Sequence, residues 1–503
     1  MSFIVSLLFI GALILGFYYL RRQMNYWKNR GVPSIKPSYI FGNLDGVGEK
    51  IHFTINLQNI YETFKDNYKF CGIYALQSPR LMLIDLELIK NILIKDFHYF
   101  TDRGVYVNEE DDPLSAHLFA IEGEKWKSLR HKLSATFTGN KMRLMCPIIE
   151  EYSKDLINLI DSFASSNNEI DIKNICTRFT ADVIGSCGFG ISCNAMREEN
   201  TEMMQMGKFF DLTNKRTRAN FFFVNIFPKL AKRLRMKVTP QFISNFFIPM
   251  IQQTYEYRIK NDDNRNDFLS LLIQIKKYGK LKDEEMENVG TMTFNELIAQ
   301  SFIFFIAGFE TSSTTMTMAL YELAYRHDIQ EKLRNEIEEI TRQYDGKISY
   351  EAINNMPYLD QVVNETLRLY SPIGQLFRIA IKDYKVPDSN LIIEKGTSIF
   401  IPVHAIHHDC RYFYDPENFI PERFEQEKMK KLPQLCFLPF GAGNRNCIGM
   451  RFGLMQTKVG IASIFKNFKL SHHKLTRYPL VLDPKSAVVN SLKPILIEAE
   501  RIF

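Results

Sequence analysis

Helical periodicity dominates the middle of the chain. Residues 294–326 are apolar on most sides, which predicts one buried helix of about 33 residues, roughly 50 Å long. Its longest uncharged run, residues 297–309, spans about 13 residues and is too short to cross a bilayer. A second helical pattern covers residues 358–370, between Pro357 and Pro372. These patterns predict a mainly helical protein.

Short strand-like runs occur at residues 81–84 and 397–403. A polar stretch at residues 261–267 indicates a surface break between two helices. No internal repeat or low-complexity linker is visible beyond the N-terminal region. We therefore expect a mostly α fold with small β-sheets (α+β), formed by one large domain.

The N-terminal residues 2–20 carry no charge and are long enough to cross a bilayer as a helix. Basic residues follow before any acid, which places the N-terminus in the lumen and the rest in the cytosol. A cleaved signal peptide is the alternative, but the apolar region is long and does not end in small residues. The sequence predicts a transmembrane signal anchor at residues 1–22, a basic, Pro-rich linker at 23–40 and the large domain at 41–503.

Composition narrows the class of protein. Of the 503 residues, 46% are hydrophobic and 24% charged, which excludes a disordered, collagen-like or disulfide-scaffold chain. The net charge of +6 comes without a basic run or repeated module, so we expect no nucleic-acid partner. Eight scattered cysteines form no Cys-x-x-Cys pair and are expected to be reduced, on the cytosolic side.

The most informative segment is the glycine-rich loop at residues 440–449. It holds Cys447 immediately before an apolar stretch, where a helix N-terminus favours the thiolate. Such a thiolate can be a nucleophile or a metal ligand. A cysteine nucleophile also needs a histidine base, and the sequence alone places no histidine beside Cys447. The alternative to both roles is a buried free cysteine in a tight turn.

This loop resembles the haem-binding signature of the cytochrome P450 monooxygenases. The resemblance implies that Cys447 is the axial thiolate ligand of haem b, a ligation that favours O–O cleavage. The other positions that match the signature and imply cofactor binding are Phe440, Gly443, Arg445 and Gly449.

Glu365 and Arg368 lie three residues apart on a predicted helix and can pair on its surface. They also resemble the family's Glu-x-x-Arg signature, and Arg423 matches its third member. The resemblance implies a buried charged network with a structural role, not a chemical one.

Residues 307–312 interrupt the long predicted helix with a glycine, an acid and several hydroxyls. One interpretation is a helix–helix contact at Gly308, with Glu310 paired to a basic residue. The segment also resembles the family's oxygen-activating motif. That resemblance implies that Gly308 makes room for oxygen, that Thr311 donates hydrogen bonds and that Glu310 feeds protons.

Several arginines resemble residues that hold the haem propionates. Trp126 and Arg130 match the family's Trp-x-x-x-Arg helix. The alternative to a role in haem binding is that Arg130 packs along the face of the Trp126 ring. Arg103, Arg378 and Arg445 align with further propionate contacts, and arginine suits bidentate carboxylate binding.

Other groups carry weaker signals. We expect no metal site at His404, His407 and His408; the family usually has arginine where His408 stands. A Phe-rich segment at residues 221–227 and 246–249 predicts core helices or, alternatively, an apolar lid over a substrate channel that touches the bilayer.

The resemblance extends over almost the whole chain and is nearest to microsomal, insect xenobiotic-metabolising subfamilies. It implies oxidation of lipophilic compounds such as plant toxins or insecticides, at the endoplasmic reticulum membrane, with O₂ and NADPH-derived electrons. A separate flavoprotein reductase is the implied partner, with cytochrome b5 as a further candidate. The residues proposed as a basic docking face are Lys125, Lys127, Arg130 and Lys132.

Three alternatives remain open from the sequence: a narrow biosynthetic hydroxylase of a lipid or hormone, an O₂-independent haem-thiolate isomerase or dehydratase, and a non-enzymatic haem sensor. The Glu310–Thr311 pair argues against the isomerase, because such relatives often lack it. Pocket residues are expected within 105–120, 302–311, 373–377 and 488–490.

Overall fold

The computed structural model describes residues 2–166, 169–207, 215–263, 265–281 and 289–502. Eighteen α-helices are found in these ranges. In chain order they are α1 (Ser2–Met24), α2 (Phe53–Phe64), α3 (Leu86–Lys90), α4 (Gly123–Ser134), α5 (Gly139–Ser165), α6 (Ile172–Ile184), α7 (Glu202–Met206), α8 (Lys215–Ile226), α9 (Pro228–Arg233), α10 (Gln241–Asn261), α11 (Phe268–Tyr278), α12 (Phe294–Tyr325), α13 (His327–Gln343), α14 (Tyr350–Asn354), α15 (Pro357–Leu369), α16 (Val403–His407), α17 (Gln426–Met429) and α18 (Met450–Asn467).

The strands are short and form three small sheets. They are β1 (Phe70–Ala75), β2 (Ser78–Leu83), β3 (Ile170–Asp171), β4 (Leu376–Ile379), β5 (Tyr384–Lys385), β6 (Ile392–Ile393), β7 (Ser398–Ile401), β8 (Phe468–His472) and β9 (Leu496–Arg501). The sheet orders are β1-β2-β7-β4, β3-β9-β8 and β5-β6, and β2 with β7 is the parallel pair. The predicted class, mostly α with small β-sheets, is confirmed.

The chain forms two compact units, each assembled from three stretches. Unit 1 comprises residues 1–104, 374–412 and 433–446, and unit 2 comprises 105–373, 413–432 and 447–503. Unit 1 contains the four-stranded sheet and the β5-β6 pair, whereas unit 2 contains most of the helices.

Both predicted strand runs lie in the four-stranded sheet of unit 1. The first is longer than expected because β2 forms a hairpin with β1. The second is shorter: β7 ends at Ile401, since Pro402 has no N–H to donate to a strand ladder. The chain then forms α16, so His404 and His407 lie on a short helix and His408 is its C-cap.

Part of the predicted linker packs into unit 1. Trp27 is only 1% exposed, and its ring lies where a side chain at Gly72 would have to stand. Its indole N–H donates to the carbonyl of Ile73 at 3.2 Å, and its backbone N–H donates to the Tyr74 hydroxyl. Residues near Trp27 therefore contribute to the fold of this unit.

The N-terminal apolar stretch forms α1, with exposed side chains that include Ile4, Ile14 and Phe17. Among the described residues, no helix is both long enough and apolar enough to cross a membrane. The anchor at residues 1–22 stays a prediction.

The long helix of unit 2 matches its predicted length. Thr293 begins α12 with a capping box: its hydroxyl accepts from the Glu296 N–H, and the Glu296 carboxylate accepts from the Thr293 N–H. Almost every side chain from Leu297 to Ala324 is buried, which explains why the sequence shows no polar stripe.

The predicted break at residues 261–267 is also confirmed. α10 ends at Asn261, and Asp267 caps α11 by accepting from the Ser270 N–H. Both Asp267 oxygens also pair with Arg258 at 2.7 Å, and this ion pair is almost fully buried. The polar residues therefore serve a buried junction as well as a surface turn.

The Phe-rich segment separates into buried and exposed parts. Phe247 of α10 is fully buried, whereas Phe221 and Phe227 are exposed. The side chains of Phe222 and Ile226 lie outside the described residues. Phe247 is therefore a core residue, as the first interpretation expects, and the lid over a substrate channel stays a prediction.

Candidate active site

Cys447 lies three residues before α18, with Gly449 at the N-cap. Its thiol is exposed, so it is not the buried free cysteine of the alternative interpretation. The amide groups and dipole of a helix N-terminus favour a thiolate at this position. Burial lowers the pKa of Arg130 on α4, and the neighbouring Cys447 sulfur opposes this shift. A cation and a potential thiolate therefore lie close together in unit 2.

Glycine is required at one of the predicted loop positions. Gly443 has a φ of +69°, and a Cβ there would overlap the carbonyl oxygen of Leu93. Gly449 has a φ of −86°, and a Cβ there would make only ordinary contact with Phe137. Phe440 is half-buried. Contacts within the chain therefore explain why residue 443 is a glycine, but they do not explain the glycine at position 449.

Arginines from separate stretches of unit 1 are linked to one another. The Arg445 Nε donates to the carbonyl of Thr101 at 2.8 Å, and its guanidinium lies 3.6 Å from the Asp102 carboxylate. Arg103 donates to the Arg445 carbonyl at 3.0 Å. Arg378 on β4 lies near these residues in the same unit, because its neighbour Ile379 forms a β-bridge with Asp102.

Arg378 provides a test of whether these residues fit a dianionic cofactor. Its side chain is buried, and its Nε has no hydrogen-bond partner among the described residues. Burial lowers the pKa of Arg378 to about 10, which shows that its charge is incompletely compensated. A carboxylate would satisfy both the charge and the free donor, so the site fits haem propionates.

The long helix α12 presents one accessible stripe in its otherwise buried middle. The accessible residues are Ile303, Ala307, Gly308 and Thr311, and the last three follow the first by four, five and eight positions. This spacing places them on one helix face. The stripe gives unit 2 a mostly apolar wall with one hydroxyl.

Trp126, predicted to adjoin the cofactor, is nearly buried on α4.

Gly308 makes the helix contact that the alternative interpretation proposed. A Cβ at Gly308 would overlap the side chain of Ile184 on α6. Gly308 is also part of the accessible stripe, so close packing and access coincide at this residue. The Thr311 hydroxyl donates to the Ala307 carbonyl at 2.6 Å, the i−4 bond that the sequence suggested.

Glu310 pairs with a basic residue, as that interpretation also proposed. Lys173 on α6 donates to Glu310 Oε1 at 2.9 Å, and Asn490 donates to the same oxygen at 2.8 Å. Burial raises the pKa of Glu310, but the Lys173 charge and these two hydrogen bonds outweigh it, and the net pKa is lowered. Glu310 is therefore an ionised carboxylate with a defined position.

A cavity of about 260 Å³ with a mixed polar and apolar lining adjoins this cluster. Lys173, Glu310 and Asn490 line it together with Ser486 and Lys485. No local pattern pointed to Lys173, because the residue follows an ordinary helix start at Asp171 and its partner is 137 positions away. Asn490 fell within a stretch expected to line the pocket.

The three residues of the predicted charged network lie together. Arg368 binds both oxygens of Glu365 at 2.7 and 2.8 Å, and both side chains are fully buried. Arg423 reaches Glu365 Oε1 at 3.2 Å. Glu365 also accepts from the Ile420 N–H, and burial lowers the pKa of Arg423. Every strong acceptor of this carboxylate is in use, as a structural role requires.

The histidines have other contacts. His407 Nε2 accepts from the Leu438 N–H at 2.8 Å, and the rings of His404 and His408 lie 4.1 Å apart. They support the fold of unit 1.

The lysines of the expected docking face are already engaged. Lys125 binds Glu109 at 2.8 Å, Lys127 lies 3.7 Å from Glu124, and Lys132 donates to the Thr291 carbonyl. The two acids reduce the positive charge of this face.

Comparison with known proteins identifies the family. The family model of cytochrome P450 matches residues 32–499. Cytochrome P450 6a8 of Drosophila melanogaster is 42% identical over 513 aligned residues that cover 100% of both chains. Cytochrome P450 6a2 of the same organism is 42% identical over 99% of this chain and 100% of its own. Cytochrome P450 6A1 of Musca domestica is 42% identical over 94% of this chain and 93% of its own. With such matches along its whole length, the chain belongs to the cytochrome P450 family.

Proposed function

We propose that this haem-thiolate monooxygenase, supplied with electrons by a redox partner, uses Cys447 as its axial ligand and oxidises lipophilic xenobiotics such as plant toxins or insecticides. The observation that carries the proposal is the exposed thiol at the N-terminus of α18, beside the Arg130 cation. When bound, the haem supplies the iron that activates dioxygen.

The accessible stripe of α12 supports a lipophilic substrate. Ile303 and Ala307 offer apolar contact, and Gly308 adds no polar side chain. A wall of this composition binds apolar molecules by shape and burial, with little demand for specific hydrogen bonds. That chemistry suits a broad set of substrates better than one polar metabolite.

Thr311 and Glu310 are proposed to handle protons. The Thr311 hydroxyl is the polar group of the accessible stripe, and Glu310 is held ionised beside the cavity. An ionised carboxylate can accept a proton from water in the cavity and pass it on, while the hydroxyl relays it.

The arginines Arg103, Arg378 and Arg445 are proposed to bind the propionates, and Trp126 with Arg130 to contribute further contacts. The unsatisfied Nε of Arg378 is the strongest support for this role.

Membrane attachment at the endoplasmic reticulum, through residues 1–22, is part of the proposal. Within unit 1, a tight loop closed by hydrogen bonds between Ser38 and Gly42 exposes Tyr39 (62%), Ile40 (66%) and Phe41 (48%). Within unit 2, exposed Phe221, Phe227 and Leu230 accompany basic residues of α9. Aromatic rings with neighbouring cations suit the bilayer interface.

The proposed electron donor is an NADPH-dependent flavoprotein reductase, with cytochrome b5 as a second candidate. The α4 face with Lys125, Lys127, Arg130 and Lys132 is its proposed docking surface, weakened by Glu109 and Glu124. Complementary charge would mainly raise the rate of encounter.

The test is the reduced carbon monoxide difference spectrum of the full chain in membranes, followed by turnover of unrelated apolar compounds with reductase and NADPH. We expect the Soret band of thiolate-ligated ferrous haem, its loss in Cys447→Ser, and its retention in Cys410→Ser, the other exposed cysteine. Retention of the band in Cys447→Ser would overturn the ligand assignment. Turnover of a single compound from the panel would favour the narrow biosynthetic hydroxylase.

A further inference from the structure

Five consecutive carbonyls of α12, from residue 307 to residue 311, accept side-chain donors. The Ala307 carbonyl accepts from the Thr311 hydroxyl at 2.6 Å. The Gly308 carbonyl accepts from the Gln456 amide at 2.9 Å, and the Phe309 carbonyl lies 3.0 Å from the Thr180 hydroxyl. Helix carbonyls are usually satisfied by the N–H four residues on. The added donors to the Ala307, Glu310 and Thr311 carbonyls come from α12 itself, whereas those to Gly308 and Phe309 reach this turn from other helices.

The donor to Gly308 comes from the helix that follows the thiol loop. Gln456 is on α18, nine positions after Cys447, and its side chain is fully buried. This contact determines the orientation of the Gln456 amide, because only its NH₂ group can donate to a carbonyl oxygen. Its Oε1 has no hydrogen-bond partner among the described residues, so the bond to Gly308 is the polar contact that holds this side chain.

The same turn also contacts α6. A Cβ at Gly308 would overlap the end of the Ile184 side chain, which would have to shift. The Thr180 hydroxyl reaches the Phe309 carbonyl from α6, although it also lies 3.1 Å from the Thr177 carbonyl and has one proton to share. The turn before Thr311 is therefore contacted by α6 and by Gln456 of α18.

We propose that Gln456 is a positioning residue, assisted by Thr180, that fixes the α12 backbone at Gly308–Phe309 and thereby the place of the Thr311 hydroxyl. It links the helix after Cys447 to the turn that carries Thr311. The inference rests on the proposed roles of those two residues, but it concerns a residue that touches neither substrate nor cofactor.

The first test uses Gln456→Leu, which keeps the side-chain volume and removes the donor. We expect amide hydrogen exchange at residues 311–314 to become about fivefold faster, the factor for loss of one neutral hydrogen bond. Exchange at residues 316–324 of the same helix should not change. Thr457→Val is the matched control, since Thr457 is buried on the same helix and makes no hydrogen bond to α12 within the described chain.

The second readout is the fate of electrons in the full enzyme with reductase. If Thr311 is displaced, O₂, two electrons and two protons leave as hydrogen peroxide in place of product and water. Gln456→Leu should therefore raise the peroxide formed per NADPH several-fold, with an unchanged thermal midpoint and an unchanged carbon monoxide spectrum. Thr180→Val should produce a smaller shift in the same direction.

Unchanged or slower exchange at residues 311–314 in Gln456→Leu would overturn the positioning role, even with Cys447 ligation intact. Uniformly faster exchange along α12, with a lower thermal midpoint, would also overturn it, because that pattern indicates a general packing defect. Failure of the function proposal is separate: it would appear as a thiolate spectrum that survives Cys447→Ser.

Discussion

Lys173 and Glu310 form an ion pair of 2.9 Å that joins α6 to α12. The pair decides the charge state of a buried carboxylate, since burial alone would raise the pKa of Glu310 and the Lys173 charge reverses that effect. Lys173 also donates to Ser313 and Thr314, so a single ammonium group organises one side of α12.

This pair makes stability dependent on pH. The folded-state pKa of Glu310 lies below its ordinary value of 4.5, so the pair contributes its full stability above that value and loses it as pH falls through the folded pKa. In Lys173→Met, burial dominates and the folded-state pKa of Glu310 rises. The buried, unpaired carboxylate then lowers the stability of the folded protein at neutral pH. We expect thermal midpoints measured from pH 4 to pH 8 to show a wild-type advantage that narrows at the acid end. An equal difference between the proteins at every pH would contradict this assignment.

Thr311→Ala removes the hydroxyl of the accessible stripe. Product formation should fall about a hundredfold, the lower range for a positioned proton donor, while NADPH consumption continues. The measurement is product and peroxide formed per NADPH. Thr317→Ala is the control, because its hydroxyl makes the same i−4 bond, to Ser313, at a buried position. Full product yield from Thr311→Ala would contradict the proposed role of this hydroxyl in proton delivery.

Arg378→Met should separate haem retention from the stability of the haem-free protein. A buried cation with incomplete compensation contributes little to the haem-free fold, whereas a charge-assisted bond to a propionate contributes about 1.5–3 kcal/mol. Haem transfer to an excess of a haem-binding acceptor should therefore be roughly 10–100-fold faster, with no loss of stability in the haem-free state.

Arg80→Met provides the comparison for Arg378. Arg80 is on β2 of the same sheet, burial lowers its pKa, and its Nε is likewise without a partner among the described residues. Equal acceleration of haem loss in both variants would show that the effect is a general property of this sheet.

Glu365→Gln breaks a buried network and leaves Arg368 and Arg423 without their anionic partner. We expect a loss of about 3–5 kcal/mol in the free energy of unfolding, measured with urea, and poor haem incorporation. The exposed pair Glu427–Lys430, at 2.6 Å, is the matched control, and Glu427→Gln should cost less than about 1 kcal/mol. Similar losses in the two variants would contradict a structural network at Glu365.

The sequence by itself determined the features that depend on local pattern. Helix α12, the break before α11 and the helix that carries Glu365 and Arg368 were predictable, because apolar periodicity, capping residues and prolines act within a few positions. The signature around Cys447 likewise gave the family, since its residues are contiguous.

Only the tertiary structure decided which distant groups meet. Lys173 reaches Glu310 across 137 positions, and Gln456 reaches Gly308 across 148, without any local sign. The same holds for Trp27, which packs into unit 1 from a segment expected to be a linker. Local pattern fixes which face of an element is apolar, but the partner that covers it depends on the packing of the whole chain.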